Sequence, residues 1–186
     1  HGRRRPKLIV AGCYVERNAG ELAARYPGVD AWIGVKDFDK IVSVVRGQPF
    51  RRSRRTYLYD ESAPRAVSTP GSWAYIKISE GCSHECAFCS IPSIKGAYRS
   101  RPIRSIVAEA EELARSGARE INLISQDTTY YGRDRSPRSL LPRLLRDLGK
   151  VPGLAWIRIL YGYPEEVDDA LIGALREDKV CRYLDI

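Results

Sequence analysis

Three cysteines sit within one short run, Glu80-Gly81-Cys82-Ser83-His84-Glu85-Cys86-Ala87-Phe88-Cys89, spaced C-x3-C-x2-C directly after the strand-like Tyr75-Ile76-Lys77-Ile78. Thiolates crowded into one loop cannot all face a core. Three of them suit an iron–sulfur cluster that leaves one iron without a protein ligand, and an open metal position is where chemistry can happen. The competing reading is a structural zinc site. Zinc takes four ligands, usually as two pairs, and a second C-x-x-C pair is absent. His84 lies inside the triplet, where the loop would have to fold back on itself to use it. Cys181 is remote in sequence and reads as a small buried residue. A disulfide framework fits poorly with five cysteines and no signal-like apolar segment, which point to a reducing, cytoplasmic setting.

The elements that must position this loop follow a βα rhythm. Leu8 to Ala11 reads as a strand ending in Gly12-Cys13, followed by a helix over about Arg17 to Arg25 and a turn at Pro27-Gly28. Val29 to Ile33 reads as a second strand, and Asp37 to Val45 as an amphipathic helix with Phe38, Ile41, Val42 and Val45 on one side. Residues 47–72, broken by Pro49, Pro64 and Pro70, read as an interdomain linker. Beyond Trp73 come a strand, the cysteine loop, and a helix opened by Pro102 with apolar Ile103, Ile106, Val107, Ala110, Leu113 and Ala114. A strand from Glu120 to Ser125, a helix over about Leu140 to Leu148, a strand from Trp156 to Tyr161, a helix over Glu165 to Glu177 and a strand from Tyr183 complete the pattern. Repeated βα units build a parallel barrel whose functional loops follow the strands' C-terminal ends. The cysteine loop is at such an end.

With 186 residues and 44% hydrophobic content the chain can bury a real core, and no apolar run is long enough to span a bilayer. The charge of +8 is uneven. Residues 1–72 carry 14 Lys/Arg against 7 Asp/Glu, the rest 17 against 16. Arg3-Arg4-Arg5, and Arg51-Arg52 with Arg54-Arg55 ahead of Tyr57 and Tyr59, supply much of the excess; they are candidates for RNA contact or simply solvated charge. The sequence has no methionine, and it reads as an internal piece of a longer protein.

Ile78-Ser79-Glu80-Gly81-Cys82, Cys89-Ser90-Ile91-Pro92-Ser93-Ile94-Lys95-Gly96, Arg99-Ser100-Arg101-Pro102 and Val10-Ala11-Gly12-Cys13 resemble the methylthiotransferase branch of the radical S-adenosylmethionine (SAM) enzymes. Ser125-Gln126-Asp127-Thr128-Thr129-Tyr130-Tyr131-Gly132 resembles its RimO type, which methylthiolates an aspartate of the twelfth small-subunit ribosomal protein. The resemblance implies an α/β chain: a partial Rossmann-like N-terminal methylthiotransferase domain (1–46), a basic linker (47–72) and a truncated radical SAM partial TIM barrel (73–186). It implies a [4Fe–4S] cluster on Cys82, Cys86 and Cys89 whose free iron chelates SAM, and a second, auxiliary cluster to which Cys13 contributes, its other ligands lying outside this sequence. It also implies a second SAM as methyl donor, an electron donor and a sulfur source, with no membrane involvement.

Beyond the cysteines, the candidate cofactor-binding residues are Phe88, Gln126, Asp127, Thr128 and Arg158. Phe88 would border the adenine or pack in the core. Gln126, Asp127 and Thr128 follow a strand on the catalytic face, where they would hold SAM or be solvated. Arg158 interrupts an apolar strand and needs a carboxylate, from a ligand or from the protein. Lys95 and Arg99 would meet an acidic substrate or lie on the surface. Two other functions stay open: a tRNA methylthiotransferase of the MiaB type, and a non-catalytic basic RNA-binding module with a structural metal.

Overall fold

The computed structural model describes residues 5–68 and 70–186; Arg3, Arg4 and Thr69 lie outside the described residues. Its contacts group the chain into two compact units, one made by the chain up to Tyr57 together with Gly81–Ala97, the other by Leu58–Glu80 together with Tyr98–Ile186.

The first unit holds strand β1 (Ile9–Ala11), helix α1 (Cys13–Arg25), strand β2 (Ala31–Ile33), a 3₁₀ turn over Val35–Lys40 and helix α2 (Ile41–Val45). β1 and β2 pair in parallel, Val10 opposite Trp32. α1 is kinked at Asn18 (φ −126°, ψ 23°); Val15 before the kink and Leu22 after it are its buried residues, and Ile33 and Val35 are buried in the same unit. The Asp30 carboxylate accepts the Leu8 N–H (2.7 Å) and pairs with Arg5, which holds its pKa below the usual range, the backbone bond being the larger cause. Where one amphipathic helix was expected over 37–45, a 3₁₀ turn precedes only five α-helical residues. Its tighter winding turns the next residues off the 3.6-residue stripe, leaving Ile41, Val42 and Val45 exposed. The short helix α3 (Ile91–Lys95) also belongs to this unit.

The second unit is built on a parallel sheet in the order β3 (Trp73–Lys77), β6 (Glu120–Ile124), β7 (Trp156–Ile159), with β4 (Ser79–Glu80) and β5 (Arg99–Ser100) forming a small antiparallel pair. Helices α4 (Ile103–Arg115), α5 (Leu141–Gly149) and α6 (Asp169–Ala174) follow β5, β6 and β7. Side chains alternate across the pleat, so Ala74, Ile76, Ile121, Leu123, Ile157 and Ile159 join one core with Ile106, Ala110 and Leu113 of α4 and Leu141, Leu144, Leu145 and Leu148 of α5. The other face carries a polar row in register, Tyr75, Asn122 and Arg158.

Two expectations change here. The helix expected over 165–177 becomes a 3₁₀ turn (Pro164–Glu166) and then α6, started by Asp168, whose carboxylate accepts the Leu171 N–H at 2.8 Å. No strand begins at Tyr183. The ladder beside β7 is taken up earlier, by a single parallel bridge from Val180 to Ile157, and the tight bond from the Tyr183 N–H to Cys181 O (2.8 Å) turns the chain out of it. The expected linker is not free along its length. Ser53 N–H donates to the buried Asp37 (2.7 Å) in the first unit, whereas Arg65 in the second pairs with Glu109 and donates to Tyr75 O on the outer strand β3.

Candidate functional site

The cysteine loop is closed at its base. Cys82 N–H donates to Gly96 O (3.1 Å), and Gly96 N–H ends α3 by donating to Pro92 O (2.9 Å). Gly81 holds φ +82°, and a Cβ there would sit 2.6 Å from Gly96 O and nearer still to Ala97 O, so the neck closes only around a glycine. Inside the loop, Cys89 N–H donates to Cys86 O (3.0 Å), a β-turn that fixes the last two cysteines relative to each other. None of the five cysteines is in a disulfide; Cys82 is buried and Cys86 and Cys89 are half-buried. Phe88, between them, is 93% exposed. Core packing therefore does not account for it, and the ~1.5–3 kcal/mol that burying a phenylalanine yields is left unrealised.

Among the described residues, no three His, Cys, Asp or Glu side chains converge as ligands of a single metal ion. A cluster asks for something else. Each thiolate of a cluster binds a different iron, so the three sulfurs surround one cluster instead of meeting at one ion. Three thiols outside any disulfide, on one loop pinned at its neck, are the donor set such a group takes.

The loop after β6 is rigid for reasons of its own. Asp127, 2% exposed, accepts the Thr129 hydroxyl (2.5 Å) and the Tyr130 N–H (3.1 Å), while its carbonyl accepts the Tyr98 hydroxyl (2.8 Å). Thr128, fully buried, donates its hydroxyl to Leu160 O (2.6 Å) and its N–H to Tyr161 O (2.9 Å), tying this loop to the end of β7. Gln126 is exposed. Burial pushes the Tyr98 and Tyr131 phenols above their usual range, so both act as neutral hydrogen-bond donors, Tyr131 to Arg101 O at 2.6 Å. Arg158 forms a two-point pair with Glu120 (3.1 and 3.3 Å) and lies over the Tyr183 ring, so its carboxylate partner here comes from the protein. The Glu120 carboxyl is held below its usual range, chiefly by that hydrogen bond.

Cys13 is exposed as the first residue of α1, so burial does not explain it. Cys181 is buried, and burial pushes its thiol up. Lys95 gives its carbonyl to the Thr56 hydroxyl (3.0 Å), and Arg99 is half-buried in β5.

Sequence reasoning missed the residues that brace the β6 loop. Arg101, 2% exposed, donates to Lys77 O (2.8 Å), Glu109 (2.6 Å) and the Ser105 hydroxyl (2.9 Å). Ser100 donates its hydroxyl and N–H to Asp134 and receives the Gly132 N–H (2.8 Å). The Arg-Ser-Arg-Pro run was visible as a motif; that its second arginine is a buried strut was not.

Residues 76–179 match the family model of the radical SAM superfamily. The chain belongs to the radical SAM superfamily. Its relatives include "Ribosomal protein uS12 methylthiotransferase RimO" of Geobacter sulfurreducens, 46% identical over 96% of this chain and 42% of the relative. The proteins of that name from Symbiobacterium thermophilum and Desulforamulus reducens are 48% and 46% identical, each over 96% of this chain and 38% and 42% of the relative. The chain thus spans about two fifths of the length of these relatives. The radical SAM fold is also found in solved structures. The radical S-adenosylmethionine methyltransferase TsrM from Kitasatospora setae, with tryptophan substrate and a SAM analogue, superposes with TM-score 0.65 at 16% identity, over 94% of this chain and 40% of that one. The TsrM structure with cobalamin and a [4Fe–4S] cluster gives TM-score 0.62 at the same identity, over 94% and 41%.

Proposed function

We propose that this chain carries the cluster-binding loop and part of the barrel of a radical SAM methylthiotransferase of the RimO type, acting on ribosomal protein uS12. The observation that carries the reading is the closed C-x3-C-x2-C loop, with three thiols outside any disulfide and an exposed Phe88; the relatives' shared name supplies the substrate. The domain division at 46/47 and 72/73, the cytoplasmic setting, the electron donor and the sulfur source are parts of the same proposal.

Cys82, Cys86 and Cys89 would hold a [4Fe–4S] cluster, and Cys13 would contribute one ligand to an auxiliary cluster. With the cluster and SAM in place, the site would supply one-electron chemistry able to take hydrogen from an unactivated C–H bond. The work of this chain's own residues is to hold and orient. The neck at Gly81 and Gly96 fixes the thiolates, and Phe88 presents an apolar face beside them. Gln126 offers a free amide at the C-terminal end of β6, and Asp127 and Thr128 lock the turn that carries it. Arg158 would meet a ligand carboxylate only by releasing Glu120.

The test is to supply the whole enzyme, reconstituted under anaerobic conditions, with ribosomes and separately with tRNA, and to search both by mass spectrometry for one added CH2S unit. Modified uS12 with untouched tRNA is expected; the reverse overturns the substrate assignment.

A further inference from the structure

The segment Arg51-Arg52-Ser53-Arg54-Arg55-Thr56 is anchored from behind with a period of three. Ser53 N–H donates to the buried carboxylate of Asp37 at 2.7 Å, and the buried Thr56 donates its hydroxyl to Lys95 O at 3.0 Å, at the end of the helix that closes the cysteine loop. Phe50, one step earlier in the same period, is half-buried. Two residues out of every three therefore face solvent, and those are Arg51, Arg52, Arg54 and Arg55, all exposed. Among the described residues none of the four has an ion pair or side-chain hydrogen bond, although the chain has 23 carboxylates. Arginines exposed merely for solubility commonly pick up acidic neighbours, whereas this run has no acid from Gly47 to Tyr59.

We propose that this segment is a docking platform for the phosphate backbone of RNA. Four permanent charges stand in two pairs, and three residues of extended chain set the pairs at most about 10 Å apart, the reach of a few phosphates along one strand. Guanidinium forks bind phosphate oxygens in pairs and stay charged at any working pH. The two anchors hold the chain beneath the charges before the partner arrives, so binding has to order the arginine side chains but not the backbone. Through Thr56 and Lys95 the platform is joined to the neck of the cysteine loop, so an RNA bound there lies along the same unit that presents the thiols. The proposal goes beyond the methylthiotransferase reading and does not depend on iron.

The test is fluorescence anisotropy of a labelled ribosomal RNA hairpin titrated with this chain, from 50 to 200 mM salt. With four phosphate contacts the slope of log K against log[salt] is about −3, so the fourfold rise in salt weakens binding by roughly 50- to 150-fold. The quadruple variant R51Q/R52Q/R54Q/R55Q should lose most of that slope, about one unit per charge, with an unchanged melting temperature because the side chains have no partners. The quadruple Lys variant should keep the slope. A labelled tRNA arm is expected to show the same slope, since the chemistry recognised is the phosphate backbone. An unchanged affinity and slope in the Gln variant overturns the proposal. So does equal binding of polyglutamate, which would make the partner an acidic protein surface.

Discussion

Gly81 and Gly96 face each other across the neck of the cysteine loop, and the structure predicts that they respond differently to the same substitution. Both have positive φ, +82° and +83°, and Gly96 combines it with ψ −174°, a region open essentially to glycine alone, so Ala at either position strains the backbone by about 1–3 kcal/mol. At Gly96 that is the whole cost, because an added Cβ meets nothing within 4 Å. At Gly81 the Cβ would lie 2.6 Å from Gly96 O and closer to Ala97 O, and both obstacles are backbone that cannot rotate away. The neck must then open and give up the Cys82 N–H to Gly96 O bond, worth about another 1 kcal/mol, together with the strain of moving two peptides. Gly81→Ala should therefore cost about 3–6 kcal/mol locally against about 1–3 for Gly96→Ala. The assay is iron content and visible absorbance after anaerobic reconstitution, alongside urea unfolding followed by circular dichroism. Gly96→Ala should bind iron nearly as wild type, whereas Gly81→Ala should lose most of it while the βα fold of the second unit persists. Equal iron binding by the two variants, or a Gly81→Ala protein indistinguishable from wild type, refutes the steric argument.

Arg101→Ala should destabilise the second unit by about 3–5 kcal/mol in urea unfolding, because Lys77 O and Ser105 lose their buried donor and Glu109 one of its two arginine partners; a cost below 1 kcal/mol would mean that the cation is not a strut. The Glu120–Arg158 pair should show in acid. Its folded pKa is depressed, so the stabilisation is complete above the ordinary glutamate range and lost as pH falls through the lower folded value. With partial exposure it is worth on the order of 0.5–1 kcal/mol, so as pH falls from 7 through the lowered folded value wild type should lose that much more than Glu120→Gln, and parallel acid curves would contradict it. Cys181→Ala should cost about 1–2 kcal/mol and leave iron content unchanged; loss of iron would make Cys181 a ligand.

The cysteine triplet and the βα rhythm were legible because each is local: three cysteines in one loop, and strands and helices whose apolar periods differ. What was not legible depends on backbone brought together from distant positions. Gly81 reads as an ordinary loop glycine until Gly96 and Ala97 return beside it. Asp127 and Thr128 look like free polar groups after a strand, yet their hydrogen bonds are spent inside the loop and on Leu160 and Tyr161. Arg158 was correctly seen to need a carboxylate, but the choice of Glu120 follows from the β6–β7 register. The 3₁₀ start of the 35–45 segment escaped because Phe38, Ile41, Val42 and Val45 keep helical spacing in sequence whatever the winding of the turn before them.

The central claim, that Cys82, Cys86 and Cys89 hold a cluster open to SAM, is tested most directly by electron paramagnetic resonance of the reconstituted, reduced chain with and without SAM. The account predicts roughly four irons bound through these three cysteines, a signal that changes when SAM is added, and loss of both in Cys86→Ala but not in Cys181→Ala. A colourless protein that takes up one zinc and no iron, or a cluster signal indifferent to SAM, would contradict it.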